Sequence, residues 1–102
     1  MPYERIMALE VTDDNVYQQY REHMMPILHS YGGSFGFDFK VSEVLRSKST
    51  DPINRVFTID FPSKEAMEQF FSDSDYLAVK AKFFESSVGA VTTISLHEKD
   101  AH

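Results

Sequence analysis

The chain has 102 residues, of which 42% are hydrophobic, 25% charged and 14% aromatic: enough apolar surface for the core of one domain, and too little length for two. Sixteen acidic residues stand against ten basic ones, and the resulting net charge of −6 argues against a protein that grips nucleic-acid phosphates. There is no cysteine, which removes disulfides, thiolate metal sites and thiol nucleophiles, and no apolar run nears the roughly 18 residues of a membrane span.

The opening Met1-Pro2-Tyr3-Glu4-Arg5-Ile6 is strand-like and carries early charges. It lacks the apolar region of a secretory leader, so the cytoplasm is the expected location. Tyr3 to Val11 alternates and predicts a first strand. Thr12-Asp13-Asp14-Asn15 supplies N-cap oxygens for a helix, whose inner stripe is Val16, Tyr20, Met24, Ile27, Leu28 and Tyr31. Pro26 crowds the carbonyl of Glu22 and predicts a kink or break. Gly32-Gly33 supplies the helix stop.

Ser34 to Leu45 predicts a second strand, with Phe35, Phe37, Phe39 and Val41 on one face and Asp38, Lys40 and Ser42 on the other. Arg46 to Pro52 is a polar loop, and Ile53 to Phe61 a third strand. Ser63 caps a second helix with Ala66, Met67, Phe70 and Phe71 toward the core. Ser72-Asp73-Ser74-Asp75 breaks it and caps a short third helical segment carrying Tyr76, Leu77, Val79, Phe83 and Phe84. Gly89 leads a fourth strand to about His97, and the last five residues are expected to fray.

The order is β-α-β twice. Eight acids and five bases fall in residues 1–51 and again in 52–102, so the negative surplus forms no patch. The economical arrangement is an α+β, ferredoxin-like βαββαβ domain over residues 1–102, with a core of about 3–97. Its four-stranded antiparallel sheet carries the helices on one face. The other face, expected to hold Ile6, Ala8, Val56, Thr58, Val91 and Thr93, is bare and half-apolar, and predicts a homodimer closing through the sheets.

Gly32-Gly33-Ser34-Phe35-Gly36 matches G-x-S-x-G, but a nucleophile elbow needs a strand before it and a helix after it, and the order here is reversed. His23, His29, His97 and His102 show no metal-ligand spacing, so no metal and no cofactor is expected. His23, one turn from Tyr20, is the candidate general acid–base with that tyrosine. Asp38 and Asp60 are a candidate carboxylate pair. Arg46 and Arg55 are candidate anion holders. The aromatic stripes mainly build core, while Tyr20 and Tyr76 bring hydroxyls into it, the pattern of a small-molecule pocket.

Tyr20, Pro26, Ile27 and Tyr31-Gly32-Gly33-Ser34-Phe35, followed by Arg55-Val56, Ile59, Asp60-Phe61-Pro62-Ser63, Ala66, Phe70-Phe71-Ser72 and Tyr76, resemble the domain-of-unknown-function family 1330 of the dimeric α/β-barrel superfamily. The resemblance covers about residues 3–96. It implies a ferredoxin-like fold and a homodimer, and no particular activity. Related barrel families include cofactor-free monooxygenases, lactone isomerases and dehalogenating or decarboxylating enzymes. The chain departs from the family pattern at Phe37-Asp38-Phe39, where small residues are usual. It departs again at Phe70-Phe71, where a Trp is common, and at Lys80 and Lys82, where an Arg is common.

Two functions follow. The first is a cofactor-free enzyme acting on a small aromatic or carbonyl metabolite, with Tyr20 and His23 as polar tips and Phe37, Phe39, Tyr76 and Arg55 around the ligand. The second is a non-catalytic dimeric module that binds a metabolite or a protein. Neither involves nucleic acid or a membrane.

Overall fold

The computed structural model describes residues 1–99. Strand β1 (Tyr3–Val11) leads to helix α1 (Asp14–Ser30), strands β2 (Ser34–Lys40) and β3 (Arg55–Phe61), helices α2 (Lys64–Ser72) and α3 (Ser74–Val79), a π-helical turn (Lys80–Phe84) and strand β4 (Val88–Glu98). The sheet order is β2-β3-β1-β4 with every neighbouring pair antiparallel. This is the α+β, ferredoxin-like βαββαβ arrangement expected from the sequence. Among the described residues no helix is long and apolar enough to cross a membrane.

Local chemistry explains the element ends. Asp13 caps α1 by accepting from Val16 N, and Ser63 caps α2 by accepting from Ala66 N. Gly32 takes a φ of +76°, the left-handed conformation that ends a helix most cheaply in glycine. Pro26 neither breaks α1 nor ends it. Both Pro26 and Glu22 are exposed, so water can satisfy the carbonyl that loses its helical partner.

Odd-numbered β1 residues face the helices. Tyr3, Arg5, Met7 and Leu9 lie opposite Phe61, Ile59, Phe57 and Arg55 of β3. Tyr3, Met7, Leu9, Phe57, Ile59 and Phe61 pack with Tyr17, Tyr20, Met24 and Leu28 of α1, Phe70 of α2 and Tyr76 of α3 to form the core.

Several strand expectations are corrected. β2 ends at Lys40 rather than Leu45, and β3 begins at Arg55 rather than Ile53. Val44 and Leu45 are exposed, so their apolar character reflects no buried face. The even alternation of Phe35, Phe37 and Phe39 is broken by a register shift between Phe35 and Asp38. One extra residue at a bulge turns every later side chain over. Phe35 therefore faces the helices together with Asp38, while Phe37 and Phe39 lie on the uncovered face with Ile6, Val56 and Thr58. A second shift in β1–β4 pairing places Val91 and Thr93 opposite Leu9 and Met7, on the helix side, leaving Ala90, Thr92, Ser95 and His97 on the bare side. Fraying does not begin at Glu98: that residue pairs with Tyr3, and Lys99 N donates to Pro2 O. The rest of that tail lies outside the described residues.

Candidate functional site

A cavity of about 320 Å³ lies between the helix-side face of the sheet and the helices. Its size is at the small end of the roughly 300–1,000 Å³ typical of ligand sites. β1 supplies Arg5, Met7 and Leu9, β3 supplies Phe57 and Ile59, and β2 supplies Phe35. The α1 wall is Tyr17, Tyr20, Arg21 and Met24, spaced three and four apart so that one helical stripe meets the cavity. Phe71, Tyr76, Lys80, Phe84 and Val91 complete it.

The π turn sets part of this wall. Glu85 N donates to Lys80 O, five residues back, at 3.2 Å. Such a turn holds one residue more than the α form, which re-aims the side chains around it. The Phe84 ring meets Tyr20 at 5.0 Å and the Phe83 ring stacks on His23 at 4.7 Å. Buried Ser87 anchors the end of the turn, its hydroxyl donating to Phe83 O at 2.7 Å and its carbonyl accepting from Thr12 N at 2.8 Å.

Tyr20 and Tyr76 both line the cavity, and their hydroxyl oxygens are hydrogen-bonded to each other at 2.8 Å. Burial pushes both phenols above the ordinary tyrosine value, and for Tyr20 the neighbouring Tyr76 adds to it. Both thus remain O–H groups. One proton is used within the pair, and the other hydroxyl retains a proton to donate elsewhere. A carbonyl oxygen in the cavity is the natural acceptor.

A second polar cluster closes the neighbouring wall. Arg21 is only 6% exposed. Its Nε donates to the Tyr17 hydroxyl at 2.8 Å, and its Nη atoms reach Asp38 at 3.1 and 3.4 Å. The guanidinium lies over the Phe35 ring at 3.9 Å. Arg55 binds the same carboxylate through two 2.8 Å bonds. Burial works against the Asp38 carboxylate, yet the Arg55 bonds and the two positive charges outweigh it and hold its pKa below the ordinary value.

The sequence candidates separate. Tyr20 and Tyr76 come together in the cavity, whereas His23 stands outside it, exposed, its Nδ1 2.8 Å from Gln19 O. Phe37 and Phe39 stack on each other at 5.8 Å on the opposite sheet face, carried there by the β2 bulge. Arg55 is tied to Asp38 beside Tyr17 and does not line the cavity. Asp38 and Asp60 are no pair: Asp38 faces the helices, while Asp60 lies on the other face with Glu4 and Lys99. His97 bonds Glu4 there at 2.9 Å. Arg46 is exposed in the segment between β2 and β3, His29 is exposed on α1, and His102 lies outside the described residues. No three metal-ligating side chains converge among the described residues.

Arg5, Tyr17 and Arg21 are site residues that the sequence reading passed over. The signals were present. Arg5 interrupts the apolar alternation Tyr3, Met7, Leu9, Val11 at a core-facing position. Arg21 sits at i+4 from Tyr17 and i−3 from Met24, within the buried stripe.

Solved structures share this architecture. A protein of unknown function from Rhodopseudomonas palustris is 15% identical, with a TM-score of 0.79 over 99% of this chain and 84% of that one. A dabb family protein with a ferredoxin-like fold from Mesorhizobium loti is 10% identical, with a TM-score of 0.68 over 98% of each chain. A protein of unknown function from Bacteroides fragilis, described as dimeric with a ferredoxin-like fold, is 11% identical, with a TM-score of 0.62 over 96% of each chain. At these identities the likeness is one of fold. No curated protein matches the chain in sequence. The family model described as "Domain of unknown function (DUF1330)" matches residues 5–95, and the chain belongs to that family.

Proposed function

We propose that this protein binds a small, largely aromatic molecule bearing a carbonyl or similar acceptor oxygen, in the cavity between α1 and the sheet. The observation that carries this reading is the Tyr20–Tyr76 hydroxyl pair, 2.8 Å apart inside an otherwise aromatic and aliphatic wall. Rings around the cavity suit a flat apolar body, and the spare phenolic proton fixes its polar end. The lining holds neither His, Asp nor Glu, so a binding role is better supported than proton abstraction by His23. A second reading is a cofactor-free enzyme on the same ligand. The phenol pair favours it, because donation to a carbonyl also stabilises an enolate oxygen as charge develops there.

The test is a thermal-shift screen of aromatic ketones, amides and carboxylic acids. Hits are expected to raise the melting temperature, and Tyr20→Phe to reduce the shift while His23→Ala leaves it unchanged. A screen without hits overturns the binding reading.

We also infer that two chains pair through the uncovered sheet face. Phe37 and Phe39 support this, being 64% and 55% exposed as one stacked patch. The dimeric description of the Bacteroides fragilis protein adds to it.

A further inference from the structure

The cavity is unlike the rest of the chain in charge. The protein carries −6, yet the charged side chains that line the cavity are Arg5, Arg21 and Lys80, all cations. Arg21 is spoken for, since Tyr17 and Asp38 take its protons. Arg5 is not. Among the described residues its Nε is buried with no hydrogen-bond partner, and no carboxylate lies within ion-pair distance of its guanidinium. Its sequence neighbour Glu4 points to the opposite sheet face, where His97 and Lys99 take it. What supports the Arg5 guanidinium is the Phe71 ring, 4.2 Å below it. Lys80 also lacks an acidic partner among the described residues, and its ammonium lies 5.9 Å from the centre of the Phe84 ring.

Arg5 is half-buried, so water reaches part of its guanidinium, but an Nε enclosed in an apolar wall without an acceptor is costly, and the ring beneath it compensates only in part. Nothing in the fold needs a charge at position 5. The strand alternation calls for an apolar residue there, and Met7 and Leu9 on the same row supply one at theirs. The unfilled partner of Arg5 is therefore sought in the ligand. The side-on edge of a guanidinium, Nε with one Nη, matches the two oxygens of a carboxylate. The Phe71 ring beneath Arg5 also packs edge-on against Tyr76, 5.4 Å between centroids, which sets the guanidinium and the hydroxyl pair in neighbouring parts of the cavity wall.

We propose that the natural ligand is an aryl or similarly apolar carboxylate, its carboxylate paired with the Arg5 guanidinium, its oxygen accepting from the Tyr20–Tyr76 pair, and its charge further balanced by Lys80. This deepens the binding reading given above and rests on it. Burial holds the Arg5 guanidinium below its ordinary pKa, and an arriving anion reverses that burden.

The test is calorimetric titration of the intact protein with phenylacetate and benzoate, against the neutral phenylacetamide and benzamide and against phenylphosphonate. The carboxylates are expected to bind at least about tenfold more tightly than their amides, the scale of one charge-assisted bidentate contact. Arg5→Met is expected to erase that preference while leaving amide binding in place, and Arg5→Lys to restore part of it. Equal affinity of acids and amides for the unaltered protein overturns the anion assignment and leaves the cavity as a binding site. Tighter binding of phenylphosphonate overturns the carboxylate and replaces it with a phosphate-type group. Failure of every probe to bind overturns the binding reading as well. The comparison of acids with amides needs no variant, so it stands even if Arg5→Met does not fold.

Discussion

At the residue scale, Asp38 is the group whose loss the protein should feel most clearly. It compensates Arg21, which is 6% exposed, and it also holds Arg55. Removing one partner of a buried pair leaves the other charge stranded. The carboxylate itself is about one-third exposed, so solvent moderates the effect. Asp38→Asn is expected to lower stability by about 2 kcal/mol at neutral pH, read from urea unfolding. The pH dependence has a definite sign. The folded pKa lies below the ordinary 3.8, so the unfolded chain takes up the proton first as pH falls. The contribution is thus complete above the unfolded value and is lost as pH drops through the folded one. The gap between parent and Asp38→Asn should therefore close in that acid range; a gap that stays constant from neutral pH to pH 2 would refute the ion-pair account.

At the element scale, the helix through Pro26 shows what sequence can and cannot convey. Proline removes one helical donor and costs about 3 kcal/mol in a helix interior relative to alanine, offset in part by its stiffening of the unfolded chain. Pro26→Ala is expected to stabilise the fold by about 1–2 kcal/mol, visible as a higher urea midpoint with unchanged slope. The elements themselves were legible because periodicity and caps are local: Asp13 and Ser63 each accept from the backbone three residues on. The faces of β2 and β4 were not. A bulge adds one residue without a composition signal, and that single step moved Phe37 and Phe39 away from the helices and brought Asp38 toward Arg21. The π turn at Lys80–Phe84 was equally silent, though it decides which of Phe83 and Phe84 meets the cavity. Half of the site was thus readable, Tyr20 and Tyr76 from their place in aromatic stripes. The rest depended on Arg5 and Arg21, whose inward direction is set by tertiary packing.

At the scale of the whole molecule, the sheet separates two surfaces. Its helix side holds the cavity, and its bare side holds the Phe37–Phe39 patch. A two-fold axis through the bare side would set the patch against its own copy, the self-complementary geometry of most small homodimers. The expected mass by light scattering at micromolar concentration is twice the 11.8 kDa of one chain. Phe37→Asp combined with Phe39→Asp places two charges in that contact and should yield the single-chain mass with an unchanged circular-dichroism spectrum. Neither side chain lines the cavity, so ligand-induced thermal shifts should survive in the double variant. A dimeric double variant would send the interface elsewhere. Loss of binding on dissociation would mean that the second chain completes the cavity, through the β4 edge where Val91 and Leu96 stand 48% and 46% exposed.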